Sequence, residues 1–276
     1  MSDPLIADIV IGDMHIGHKT AILYPYDLED YKPNVAQRWL YRDVWLGKFL
    51  PEVKVILKEN KPKYVHGLLG GDMGDIDFKK RSNEYWTKDI NIIRDNANIL
   101  LEPFMELCDA VHILKGTKSH TGQNSQVDEA IARNFDNVAK RNETNYAWYV
   151  CDYRLPDGTL VNAQHYGKNK SKWGEGNLVN ALRDEIILER AKHRRPVPII
   201  CYRFHFHWSY VTSEHKRPII VQVPGWQLPY DHVAQIDPVG RVPVVGGFVA
   251  LYQSGDVVDT FPLNYTYKER IWSPKK

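Results

Sequence analysis

The chain has 276 residues, 43% hydrophobic and 25% charged, with 36 basic residues against 34 acidic ones. That is ordinary for a soluble globular protein and long enough to bury most of its apolar surface without disulfide staples. A formal charge of +2 is too balanced to mark a general nucleic-acid binder, though it leaves room for a local basic patch. Cys108, Cys151 and Cys201 form no CxxC pair, which argues against a structural zinc site or a disulfide framework and fits a reducing compartment. No apolar run approaches the length of a membrane span, and the segment MSDPLIADIVIGD lacks a basic n-region, so the sequence reads as cytoplasmic with no membrane partner.

Residues 5–11 form an Ile-rich apolar run that predicts a buried strand. Trp39, Leu46, Phe49, Val53, Ile56 and Leu57 recur at helical spacing, and Pro51 predicts a break or kink into two helices. A second strand is expected at 63–70, a helix at 83–108 with a stop or kink near Pro103, and a third strand at 110–116. A helix at 126–140 would take Ser125 as its N-cap, with Asp128 and Glu129 in its first turn. A hairpin is expected across residues 146–167, turning at Pro-Asp-Gly, followed by a helix at 177–194 and a strand at 197–204. SYVTSE, RPIIVQV and VGGFVALYQ read as later strands. Alternating β and α units imply crossover connections and parallel pairing. The pattern predicts one α/β domain spanning 1–276: two packed mixed β-sheets flanked by helices, with a parallel β-α half over about 5–140 and a β-rich antiparallel half over about 145–270.

Asp and His side chains mark the carboxyl ends of five of these strands, where ligands bind in open α/β sheets. In chain order they are D-x-H (Asp13, His15), G-D-x-x-D (Asp72, Asp75), G-x-x-x-H (Gly116, His120), a lone His165, and H-x-H (His205, His207). Each motif alone is weak, but their ordered recurrence after strands points to one centre for hard or borderline divalent ions. Alternation puts Asp13 with His15, and His205 with His207, on the same side of an extended segment. His18 reads as a solvated loop residue, with a place in a substrate pocket as the alternative, and His66 and His112, inside strands, as core or surface groups.

In this order the segments resemble the calcineurin-like metallophosphoesterase superfamily, whose pattern runs DxH, GDxxD, GNH(D/E), a single His and GHxH. The resemblance covers about residues 8–210. It implies two divalent ions roughly 3.5–4 Å apart and a bridging hydroxide that attacks phosphorus in line. By resemblance Asp13, His15, Asp72 and His207 hold the first ion, and Asp72, His165 and His205 the second. Asp75 supports the turn rather than ligating, and His120 protonates the leaving group or grips a phosphate oxygen. Mixed Asp/His ligation without thiolates favours Mn²⁺, with Fe, Zn and Ni compatible. Lys118 and Arg203 stand beside ligands and are candidates for neutralising phosphate charge. Lys168, Lys170 and Lys172, with Trp173, follow His165 in a loop suited either to solvent or to a phosphate backbone.

Two segments depart from the family pattern. GTKSH replaces GNH(D/E), so Thr117 stands where an Asn ligand would, leaving either His120 as a ligand on a bulged loop or a weaker second ion, with Asn124 a more remote substitute. Phe204 replaces the Gly of the last motif and predicts bulk near the site. The leading expectation is a dinuclear phosphodiesterase, with nucleic acid as one substrate. The alternatives are a phosphomonoesterase or small-nucleotide phosphodiesterase, with Phe204, Phe206 and Trp208 walling a narrow pocket, and a non-catalytic binding module of the same fold. A β-lactamase-like hydrolase is disfavoured, because its HxHxDH run needs Asp where Ser209 stands.

Overall fold

The protein is described by a computed structural model covering residues 3–25, 31–76, 84–166, 175–212, 217–229 and 243–267. Its elements are β1 (Ile6–Ile11), α1 (Val35–Arg38), a π-helical stretch (Trp39–Phe49), α2 (Leu50–Asn60), β2 (Tyr64–Leu69), α3 (Ile90–Met105), β3 (Ala110–Ile113), α4 (Lys118–Thr121) and α5 (Gln126–Ala132). There follow β4 (Val150–Arg154), β5 (Leu160–Gln164), α6 (Glu175–Lys192), β6 (Ile200–Arg203), β7 (Tyr210–Val211), β8 (Ile219–Gln222), β9 (Val244–Gln253) and β10 (Asp256–Thr266).

Two five-stranded sheets form, in the orders β10-β9-β1-β2-β3 and β4-β5-β6-β8-β7. β1, β2 and β3 are parallel, and β9 and β10 join them antiparallel. In the other sheet β5, β6 and β8 are parallel, with β4 and β7 antiparallel at the edges. The expected division into a parallel half and an antiparallel half is therefore corrected. β9 and β10 cross back to the first sheet, and β10 was not anticipated. Its burial alternates poorly and it carries Pro262, as an edge strand can.

Every residue of β1 is buried, because both faces of the first sheet are covered. Ile9, Ile11, Trp45, Phe49, Leu100 and Phe104 pack on the helical side. Val10, Leu68, Tyr202, Val221, Phe248 and Tyr252 fill the space between the sheets. A smaller cluster of Val179, Cys201, Trp208 and Ile220 lies beneath α6. All three cysteines are buried and free. Among the described residues no helix is long and apolar enough to cross a membrane.

Several helix expectations change, and the helix expected at 126–140 ends at Ala132. Asn34 and Gln37 form a capping box at the start of a helical run that continues through residue 60, with Pro51 in the first turn of α2. A proline is tolerated there, and the run passes from π-helix to α-helix at Phe49–Leu50 with the backbone helical throughout. α3 begins only at Ile90, where Asp89 accepts the Asn91 N–H at 2.8 Å. Ser125 does not cap α5. Its backbone is left-handed (φ 55°) and its hydroxyl donates to the Gly116 carbonyl at 3.3 Å.

The histidines inside strands belong to a polar chain at the first sheet's inner face. Tyr153 donates to Asp8 Oδ2 at 2.7 Å, Asp8 Oδ1 lies 2.9 Å from His66 Nδ1, and His66 Nε2 lies 2.7 Å from His112 Nδ1. Burial, and then His66, push the His112 pKa down to about 3. Below pH 6.5 the unfolded chain therefore takes up a proton that the folded chain refuses. Stability is expected to fall on acidification from about 6.5 by up to about 1.4 kcal/mol per pH unit from this group. Urea denaturation at pH 7 and pH 5 should show a smaller pH dependence in His112→Asn; an unchanged difference would contradict the assignment.

Candidate metal centre

The loop after β1 lies alongside the loop after β2. Asp13 N donates to the Gly71 carbonyl at 3.0 Å, His15 N to Asp72 O at 2.9 Å, and Ile16 N to Met73 O at 3.1 Å. Five of the six proposed ligands, Asp13, His15, Asp72, His205 and His207, have φ between 47° and 75°. A left-handed backbone costs a non-glycine residue roughly 1–3 kcal/mol and persists where surroundings over-determine it, which is characteristic of functional sites. The bulk of Phe204 lies beneath these loops rather than beside the site. It is fully buried, and its ring occupies the space where Cβ atoms of Gly12 and Gly70 would stand, at 2.6 and 2.1 Å.

Donor atoms converge on the fully buried Asp13. Its Oδ2 accepts the His205 N–H at 2.9 Å. Its Oδ1 lies 3.6 Å from His207 Nε2, 3.8 Å from His15 Nε2 and 3.9 Å from His165 Nε2. His15 Nε2 and His207 Nε2 are 3.2 Å apart. His165 Nδ1 donates to the Gly70 carbonyl at 2.7 Å, which fixes the ring so that Nε2 faces Asp72 Oδ2 at 3.1 Å. Three donor sets each gather within 4.8 Å: Asp13, His15 and His207; His15, Asp72 and His120; and Asp72, His165 and His205.

Asp72 is gripped from the loop after β3. Thr117 N–H donates to Oδ1 at 2.6 Å, and Thr117 Oγ1 donates to Oδ2 at 3.1 Å. Gly116 allows this approach, since a Cβ there would meet Asp72 Oδ1 at 2.0 Å. Thr117 thus holds the shared carboxylate rather than adding a neutral ligand. Asp128 braces the same junction, accepting the Met73 N–H at 3.1 Å and the Gly116 N–H at 2.8 Å. Burial, and then the charge of Asp72, raise its pKa to about 7. The sequence marked Asp128 only as a first-turn acid, and no local signal distinguishes it from one.

Asp75 Oδ2 receives both His15 Nδ1 at 3.2 Å and His120 Nδ1 at 2.7 Å. The His120 side chain is 28% exposed at the rim. His18 is not solvated. It is buried, takes the Thr20 N–H at 3.2 Å on Nδ1, and is held down to about pKa 4, chiefly by burial.

Burial opposes ionisation of Asp13, Asp72 and Asp75, but the surrounding imidazoles outweigh it and hold all three below the usual carboxylate value. Burial also opposes a charged His165, while Asp72 and Asp13 raise it to about 10. Burial dominates at His205, which falls to about 4. Three ionised carboxylates in a buried cluster require positive charge, from protons or from cations. The donors fit cations. Asp13 Oδ1 and His165 Nε2 are buried and make no hydrogen bond. Ligand atoms about 2.1 Å from one ion lie about 3.0–3.4 Å apart, close to the separations seen here.

The remaining candidates fall elsewhere. Arg203 is corrected: it is buried, donates to the Tyr202 carbonyl at 2.7 Å and to Asn162 Oδ1 at 2.8 Å, and so is spent on the far face of β6. Lys118 stands exposed on α4 two residues from His120, roughly 200° around the helix. Lys168, Lys170, Lys172 and Trp173 lie outside the described residues. Asn124 lines a cavity with Arg94 and Arg133 rather than the cluster. Phe206 and Trp208 pack toward α6, and the Phe206 ring also stands 5.0 Å from that of His205.

No protein-family model matches the sequence, and no curated protein does. Among solved structures, the chain is similar to vacuolar protein sorting 29 from Cryptosporidium parvum, at 13% identity and TM-score 0.41 over 97% of this chain and 100% of that one. It is also similar to a phosphatase from Mycoplasma pneumoniae, at 9% identity and TM-score 0.43 over 96% and 95%. A dimetal phosphatase from Danio rerio matches at 10% identity and TM-score 0.42 over 96% and 100%.

Proposed function

We propose that the chain is a calcineurin-like, two-metal phosphoesterase that favours phosphodiesters, nucleic acid among them. The observation that carries this is the pair of buried, hydrogen-bond-free donors, Asp13 Oδ1 and His165 Nε2, at the heart of a six-ligand cluster. Asp13, His15 and His207 would hold one ion, His165 and His205 the other, and Asp72 both. When bound, the ions would supply Lewis-acid charge for the phosphoryl oxygens and lower the pKa of water.

The chain's own groups do the rest. Thr117 and Gly116 fix the shared carboxylate. Asp75 orients His15 and His120. His120, at the rim, is placed to pass a proton to a departing oxygen. Asp13, Asp72 and Asp75 with the attacking hydroxide would carry four negative charges against the four of two dications, leaving no surplus to offset a doubly charged monoester, which suits a singly charged diester better. Arg203, turned away, adds no positive charge to that balance.

Purified protein is expected to carry about two divalent ions per chain, with Mn²⁺ restoring activity after chelation. Turnover of bis-p-nitrophenyl phosphate should exceed that of p-nitrophenyl phosphate in kcat/KM. The opposite preference would move the site to monoesters. Protein that carries no metal and whose Tm does not rise with added Mn²⁺ would make the fold a binding module.

A further inference from the structure

Tyr166 directly follows His165, and 49% of it is exposed. Its ring centroid lies 5.4 Å from that of His165, nearly perpendicular at 85°, and 5.0 Å from that of His205 at 56°. His205 is flanked again by Phe206, at 5.0 Å. Tyr149, another exposed aromatic, lies under Lys115 at 4.7 Å and Arg141 at 5.4 Å. Tyr166 instead leans on two proposed ligand rings and turns much of its surface to solvent. A large aromatic in that position offers a flat face within reach of anything whose phosphate sits on the cluster.

We infer that Tyr166 is a stacking platform for a nucleobase carried by the phosphoester, making nucleoside phosphoesters, rather than glycerol or sugar phosphoesters, the substrate class. This rests on the phosphoesterase reading above. Stacking needs no base-specific hydrogen bonds, so the platform tolerates any base and selects for planarity.

Two diesters with one leaving group separate the effects: the p-nitrophenyl ester of thymidine 5′-phosphate and methyl p-nitrophenyl phosphate. Wild-type protein is expected to prefer the thymidine ester. Tyr166→Ala should lower kcat/KM for it about tenfold more than for the methyl ester, mainly through KM, and Tyr166→Trp should restore the preference. Calorimetry with thymidine 5′-monophosphate should show Kd weakened about tenfold in Tyr166→Ala, with inorganic phosphate much less affected. Equal losses on both esters, or none, together with unchanged nucleotide affinity, would overturn the inference. If wild type hydrolyses neither ester, the phosphoesterase reading fails, while the calorimetry still tests Tyr166.

Discussion

Asp72→Asn is expected to lower turnover at least about a thousandfold while leaving the fold intact, a loss of about 4 kcal/mol of transition-state stabilisation. The side chain faces two partners of different character. Oδ1 takes the Thr117 N–H at 2.6 Å, and Oδ2 faces His165 Nε2 at 3.1 Å. An asparagine can keep its oxygen on the Thr117 N–H and offer its amide to His165, so the metal-free protein gives up only the Thr117 hydroxyl's bond to Oδ2. What disappears is the anionic oxygen that both ions would share. Metal content after dialysis and urea denaturation should diverge, the first falling and the second holding. Full activity with full metal loading would end the assignment of Asp72.

Gly70→Ala is expected to cost about 1–3 kcal/mol or more by overpacking. The added methyl would arrive 2.1 Å from Phe204 Cδ1 and 2.2 Å from Cε1, in a ring with no room to withdraw. The Gly70 carbonyl also orients His165, so the displaced backbone should weaken metal binding. Phe204→Ala alone should cost about 3–5 kcal/mol through the cavity it leaves. The two changes together should cost less than their sum by more than about 1 kcal/mol, because each relieves the other's defect. Strict additivity in denaturant midpoints would show that Phe204 and Gly70 do not press on each other.

The Asp and His positions were legible because a strand is an apolar run and a strand end is a polar stop, both local patterns. Their backbone was not: Asp and His tolerate a positive φ better than most residues, but nothing local demands it at Asp13 or His207, and the loops packed around them impose it. Arg203 was misread through proximity in sequence. Strand alternation sends Tyr202 between the sheets and Arg203 to the opposite face, so a neighbour of His205 in the chain is not its neighbour in the site. Asp128 and Thr117 act on Asp72 from 56 and 45 residues away, and no local spacing carries that. The membership of β9 and β10 in the first sheet is equally non-local.

That last point bears on how the protein is made. β1 is hydrogen-bonded on one side to residues 64–69 and on the other to residues 248–252. A nascent chain released in N-to-C order therefore carries β1 with one edge bare until β9 clears the ribosome. The Asp13 loop gains its last fixed neighbour late in synthesis, and fragments ending before residue 244 would display a sticky, Ile-rich border open to self-association.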